Sequence, residues 1–255
     1  MKKSIKKNIG KKNPLIGSWI TIPDINIIEI FTKFSFDWLC IDMEHSAISI
    51  DKIPVLTSLI EAKNISPLVR VGEHNPNLIK RIMDCGAHGI IAADVRTVEE
   101  AENIINSVKY PPIGQRGVGL YKAQHYGQGF SDYISWLKSE SIVIVQIENQ
   151  EAVKNLDSIL SLKNLDGIMI GPYDLSSSIG HPGNFKNKEY QILLDAIIKK
   201  TKKYNKLLGI HSVTSNPTDY NNFRKNGYNF IACSLDTIFL MDNIKKYFNK
   251  INKKI

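Results

Sequence analysis

The sequence has little cysteine: Cys40, Cys85 and Cys233 are the only three among 255 residues, and no Cys-x-x-Cys pair occurs. Thiols so scattered argue against a disulfide framework or a zinc site. The expectation is buried, reduced thiols, with Cys40 and Cys233 inside apolar strand patterns and Cys85 within Met83-Asp-Cys-Gly86. Also missing is any apolar run near the ~20 residues that span a bilayer. The lysine-rich N-terminus has no apolar core of a secretory signal. The chain is therefore expected to be soluble and cytoplasmic, without a membrane partner.

Acid is scarce at the two ends, and none follows Asp242. Lys2, Lys3, Lys6, Lys7, Lys11 and Lys12 crowd the start, and Lys245, Lys246, Lys250, Lys253 and Lys254 the finish. Setting those eleven aside turns the net charge from +8 to −3, so the basicity belongs to the ends, expected to be solvated tails. No aromatic residues are interleaved with these lysines in a groove-like pattern, which argues against nucleic acid as a partner. No Pro/Gly-rich linker divides the remainder. Residues 1–13 read as a basic tail, 14–242 as one domain and 243–255 as a basic helix end.

What is present is a repeated alternation. Pro14 to Trp19, Asp37 to Asp42, Ser66 to Val71, Gly89 to Asp94, Ile142 to Glu148, Asp166 to Asp174, Leu207 to Ser212 and Phe230 to Leu235 read as short apolar strands. Segments of helical periodicity follow them, one opened by the capping box Thr97-Val-Glu-Glu100. Eight such units in 255 residues with 43% apolar composition predict a (β/α)8 TIM barrel, an α/β fold. The competing doubly wound sheet would want Gly-x-Gly-x-x-Gly after the first strand, which is absent. Between Tyr110 and Gly129 the alternation breaks into a long stretch rich in Gly, aromatic and basic residues, of the kind that carries function in compact domains.

The stretch from Ile142 to Ser176 is the most informative. It reads as strand, one helix over Asn149–Leu162, and strand again, each strand ending in a carboxylate: Glu148, and Asp174 after Gly171-Pro172. A βαβ unit delivers both to one sheet edge. Two hard oxygen ligands suit a divalent ion with open positions for substrate, although the same carboxylates could cap the next helix and bond a turn. The other strand ends of that face supply Asp42-Met-Glu44-His45, Arg70 and His211-Ser-Val-Thr214. Arg70 is a permanent cation suited to a keto oxygen becoming an enolate, and equally to a salt bridge with Asp42 or Glu44. His45 titrates near working pH and is the natural general base. Periodicity leaves Asp84 merely as an acid at the end of a helix. No Gly-Gly or Gly-Ser pair follows strands seven or eight, which disfavours a phosphorylated substrate.

Six motifs together carry a resemblance: Phe36-Asp-Trp-Leu-Cys-Ile-Asp-Met-Glu-His45, Pro67-Leu-Val-Arg-Val71, Asp84-Cys-Gly-Ala87, Tyr110-Pro-Pro-Ile-Gly-Gln-Arg-Gly117, Val145-Gln-Ile-Glu148 and Gly171-Pro-Tyr-Asp-Leu175. In order over nearly the whole chain, they resemble the HpcH/HpaI family of metal-dependent class II pyruvate aldolases, such as 4-hydroxy-2-oxoheptanedioate and 2-dehydro-3-deoxyglucarate aldolases. The resemblance implies Glu148 and Asp174 as ligands of Mg2+, Mn2+ or Co2+, Arg70 at the enolate, and His45 with Asp84 as a proton-handling dyad. It also places Gln146 and the Tyr173-Asp174 backbone against the keto acid, and implies a homo-oligomer, a hexamer with sites near subunit contacts. The expected reaction cleaves a 4-hydroxy-2-oxo acid reversibly to pyruvate and an aldehyde. Many members have Pro where Ala93 stands and Arg where Lys122 stands, and Lys122 lies in the long loop expected to border the aldehyde. The alternatives are a CoA-ester lyase or 2-oxo acid decarboxylase on the same fold, or a non-catalytic binding protein.

Overall fold

A computed structural model describes residues 4–11 and 13–251. Eight strands, all parallel, close on themselves in sequence order, β8 pairing with β1. They are β1 (Leu15–Ile20), β2 (Trp38–Asp42), β3 (Ser66–Val71), β4 (Gly89–Ala92), β5 (Ile142–Ile147), β6 (Gly167–Ile170), β7 (Leu207–Ser212) and β8 (Phe230–Leu235). The expected TIM barrel is thus observed. Strands β2, β4, β5 and β6 are buried along their whole length, because helices cover one face and the barrel interior the other.

Eleven α-helices lie among the described residues: α1 (Ile25–Phe31), α2 (Ile53–Ala62), α3 (Pro76–Asp84), α4 (Val98–Val108), α5 (Phe130–Glu140), α6 (Gln150–Lys154), α7 (Leu156–Ser161), α8 (Pro172–Ser178), α9 (Lys188–Lys203), α10 (Pro217–Lys225) and α11 (Asp236–Lys250). The capping box of α4 forms as its sequence requires: Glu100 N–H donates to Thr97 Oγ1, and Thr97 N–H to Glu100 Oε2. Three expectations are corrected. The helix expected over 149–162 is two, α6 and α7, broken at Asn155, whose side-chain amide donates to the Arg96 carbonyl. The stretch from Asp174 to about Lys186, expected as a loop, is not all loop, since Pro172 starts α8, which runs to Ser178 with Asp174 in its first turn. Cys233 is only half-buried, while all three thiols are free.

The core has two parts. The larger lies between sheet and helices. The smaller fills the barrel, with Trp19, Trp38, Leu68, Ile144, Met169 and Phe230 among its residues. Trp38 stacks on Phe230 with centroids 4.2 Å apart and meets Trp19 edge-on at 6.3 Å. Gly17 faces that stack on β1, where a Cβ would come within 2.0 Å of the Trp38 indole. Only glycine lets three large rings share one interior.

The N-terminal residues depart from the solvated-tail expectation. Ile5 joins the interior cluster and its N–H donates to Ser66 Oγ. Ser4 bonds the Glu140 carboxylate and carbonyl, and Lys6 pairs with Asp166 at 2.8 Å. Together they stopper the end of the barrel where the strands begin. Lys2, Lys3, Lys12, Lys253 and Lys254 fall outside the described residues. Among the described residues no helix is long and apolar enough to cross a membrane.

Beside that stopper Lys109 is buried, its ammonium donating to the carbonyls of Leu137 and Ser141 and to Ser141 Oγ. Burial, reinforced by the neighbouring Lys6 charge, pushes it down from 10.5 to about 8. Between those values the unfolded chain holds the extra proton, so stability should rise with pH by something on the order of 2–3 kcal/mol at this site. Urea titrations of wild type and Lys109→Met at pH 7.5 and 10.5 check this. The difference between the two proteins should move toward wild type at the higher pH; a pH-independent difference would refute it.

Candidate active site

At the opposite end, where the strands finish, polar side chains replace the aromatic filling. Asp42 and Arg70 close β2 and β3 in register. Arg70 donates through Nε to Asp42 Oδ1 at 2.9 Å and through Nη2 to Oδ2 at 2.6 Å. Its Nη1 lies 3.3 Å from Glu44 Oε2, and its guanidinium carbon sits 4.4 Å from the centre of a Trp19 ring. Burial alone would raise the Asp42 carboxyl, but the Arg70 fork holds it below the usual range. Burial likewise opposes the Arg70 charge, and Asp42 restores it and raises it further. Of the two roles expected of Arg70, the salt bridge is observed, and it fixes the guanidinium in the wall of the barrel mouth. Asp42 also receives the N–H groups of Glu44 and His45, shaping the turn that carries His45 to the rim. His45 Nε2 stands 3.7 Å from Glu44 Oε2, its side chain mostly exposed.

On the far side of the mouth Glu148 is buried directly after β5. Its Oε1 accepts from the Asp94 N–H at 2.6 Å and its Oε2 from Gln146 Nε2. Gly171 lies against it, and a Cβ there would fall 2.1 Å from Glu148 Oε2, so the strand end can carry no side chain. Burial raises the Glu148 carboxyl to about 7, against the pull of those two hydrogen bonds and with help from the charges of Asp174 and Glu44. Glu44 is raised as well, first by burial, with Asp42 and Asp174 adding repulsion. Glu44 Oε2 and Gln146 Oε1 are buried without a hydrogen-bond partner among the described residues, although the former has the Arg70 charge nearby.

Carboxylates held this close, repelling one another and with an unanswered oxygen between them, form a donor set that suits a divalent cation. Among the described residues no three His, Cys, Asp or Glu side chains stand close enough to hold an ion by themselves. Glu148 and Asp174 line the same small cavity. A cavity of about 310 Å³ opens between Asp42, Arg70, Gln146 and Asp174, and an adjoining one holds Glu44 and Glu148, with His45 and Asp174 in both walls. A larger cleft, about 840 Å³, lies beside α2 and residues 122–126. It holds none of these groups.

The structure brings together Asp42, Glu44, His45, Arg70, Gln146, Glu148, Tyr173 and Asp174. It does not bring Asp84. Asp84 ends α3 on the side where strands begin, bonded to Arg116 Nη2 at 2.7 Å, and no contact joins it to His45. The long 110–129 segment is anchored on that same side. Arg116 is buried between Tyr110 and Tyr133, and Lys122 Nζ donates to Thr57 Oγ1 on α2. No residue of this segment lines the two cavities at the strand ends. Sequence reasoning missed Trp19 beneath Arg70, for which a bulky residue near a strand end was the available signal. It also missed Asp94, which acts through its backbone N–H and leaves no side-chain signal.

The HpcH/HpaI aldolase/citrate lyase family model matches residues 15–242. A 2-keto-3-deoxy-L-rhamnonate aldolase of Salmonella dublin is 32% identical over 235 residues, covering 91% of this chain and 87% of that protein. A Burkholderia cenocepacia protein of the HpcH/HpaI aldolase/citrate lyase family superposes with a TM-score of 0.92 at 26% identity, covering 99% of this chain and all of that one. The citrate synthase SbnG superposes with a TM-score of 0.85 at 25% identity, covering 97% of this chain and 96% of that one.

Proposed function

Because the chain belongs to the HpcH/HpaI aldolase/citrate lyase family, whose aldolases are carbon-carbon lyases, we propose that it is a divalent-metal-dependent aldolase that cleaves a 4-hydroxy-2-oxo acid reversibly into pyruvate and an aldehyde. The observation that carries this reading is the placement of Glu148 and the Arg70 fork on two adjoining cavities that share Asp174 and His45. Glu148 and Asp174 would hold the ion, which can be Mg2+, Mn2+ or Co2+. When bound, it supplies positive charge to the carboxylate and keto oxygen of the substrate.

The chain's own groups do the rest. Gln146 and the Tyr173-Asp174 backbone orient the keto acid. His45 takes the proton of the C4 hydroxyl, the C3–C4 bond breaks, and its electron pair moves to C3 and the C2 oxygen as pyruvate enolate. Arg70 stabilises that oxygen through guanidinium N–H groups, fixed in place by Asp42 before the charge develops. As the aldehyde leaves, His45 returns that proton to C3, which completes pyruvate and regenerates the base. Asp84 sits at the wrong end of its own barrel to assist His45. A homo-oligomer with sites near subunit contacts would let a second copy provide it, consistent with a cytoplasmic hexamer.

The test needs no knowledge of the aldehyde. Pyruvate methyl protons should exchange with deuterated buffer, followed by NMR, only when protein and metal are both present, and EDTA should stop the exchange. His45→Ala should slow it by on the order of 10²–10⁴-fold, as for a removed general base. Exchange no faster than with metal alone would end the aldolase reading.

A further inference from the structure

His211 takes no part in the chemistry above, yet it forms part of the wall of the 310 Å³ cavity. Its ring meets Trp19 edge-on at 5.6 Å, and Nε2 lies 3.2 Å from the Ser234 carbonyl oxygen. A carbonyl only accepts, so Nε2 must carry the proton. The carbonyl is itself fixed. Ser18 Oγ donates to it at 3.1 Å, and Ser234 is held at φ 52 with its hydroxyl donating to the Val213 carbonyl. A non-glycine residue kept in that left-handed conformation beside a ligand cavity is strain of the kind found at functional sites.

Burial, with the Arg70 charge adding, pushes the imidazole down to about 4, so the ring is neutral at pH 7. A neutral ring protonated at Nε2 leaves a lone pair at Nδ1. No described group bonds that nitrogen, and it is not among the buried polar atoms left without a partner, so it is accessible for the cavity's contents to answer. The wall offers little to an anionic acceptor. Apart from the rim residue His45, its only cation is Arg70, already paired with Asp42 and Glu44.

Building on the aldolase reading, we propose that His211 determines acceptor specificity: Nδ1 accepts a hydrogen bond from a hydroxyl group of the aldehyde, selecting a short, uncharged hydroxyaldehyde over apolar or anionic ones. A site built to bond a hydroxyl rejects the analogue without it, because binding that analogue covers Nδ1 and leaves it unanswered. Thr21, also in the wall, gives its hydroxyl proton to Asp236, and the other unpartnered acceptor, Gln146 Oε1, lies on the side assigned to the keto acid.

The experiment measures kcat/KM for pyruvate addition to glycolaldehyde, methoxyacetaldehyde and propionaldehyde. Methoxyacetaldehyde keeps the oxygen but cannot donate. Wild type should favour glycolaldehyde over it by about ten- to hundredfold. His211→Leu should bring that ratio near unity, and His211→Asn, which can donate to Ser234 and still accept, should retain part of it. A wild-type enzyme indifferent to methylation, or an unchanged ratio in His211→Leu, overturns this role of His211 alone, and the wild-type comparison decides even if the variant fails to fold. Absence of metal-dependent methyl exchange with pyruvate would overturn the aldolase reading and this inference with it.

Discussion

Glu148→Gln and Asp174→Asn should each abolish turnover and weaken Mn2+ binding by at least about a hundredfold, as several kcal/mol of charge-oxygen interaction are lost. The two substitutions should differ in their structural consequences. Asp174 is exposed in the first turn of α8, so its neutralisation leaves packing untouched. Glu148 is buried and receives two hydrogen bonds. A Gln amide can accept only one of them, while removing a carboxylate that burial already disfavours offsets part of that loss. Thermal midpoints should therefore stay within a few degrees of wild type in both. Calorimetric Mn2+ titration decides the assignment: unchanged affinity in either variant would remove that residue from the ion's ligands.

Arg70→Lys should lower kcat by roughly a hundredfold or more while the KM for the keto acid changes much less. Charge is conserved, so the effect must come from geometry. The guanidinium reaches two Asp42 oxygens, lies near Glu44 and covers the Trp19 ring simultaneously, and a single ammonium cannot hold that plane or aim a donor at the growing oxyanion. Steady-state kinetics in the cleavage direction separate the outcomes. A rise in KM with kcat intact would make Arg70 a clamp on ground-state carboxylate.

The barrel is legible because its strands are uniformly apolar and regularly spaced, and the end carrying the chemistry follows from where strands stop. Glu148, Asp174, Arg70 and His45 can be picked out because they are reactive types at those stops. What escapes depends on three-dimensional path rather than pattern. Asn155 suits a helix end better than a helix interior but is absorbed into one periodic run of apolar residues, although its side chain reaches Arg96 where the run splits in two. Lysine content marks the N-terminus as solvent-facing, but Ile5 anchors inside the barrel with Ile9 packed against the same cluster. The direction taken by residues 110–129 rests on Arg116 finding Asp84, a pairing that no spacing rule announces.

The stopper at the barrel's closed end sets a timetable for synthesis. Ser4 waits for Glu140, Lys6 for Asp166, and β1 for β8, whose last residue is Leu235. Until nearly the whole polypeptide has left the ribosome, the growing sheet has two open edges and an unplugged interior lined by Trp19 and Trp38. Contacts this distant in sequence make for slow closure and a period of exposure to aggregation. Recombinant yield should consequently respond more to chaperone supply and growth temperature than to substitutions on the surface, and fusion partners placed directly before Ser4 should impede closure more than those placed after Lys250.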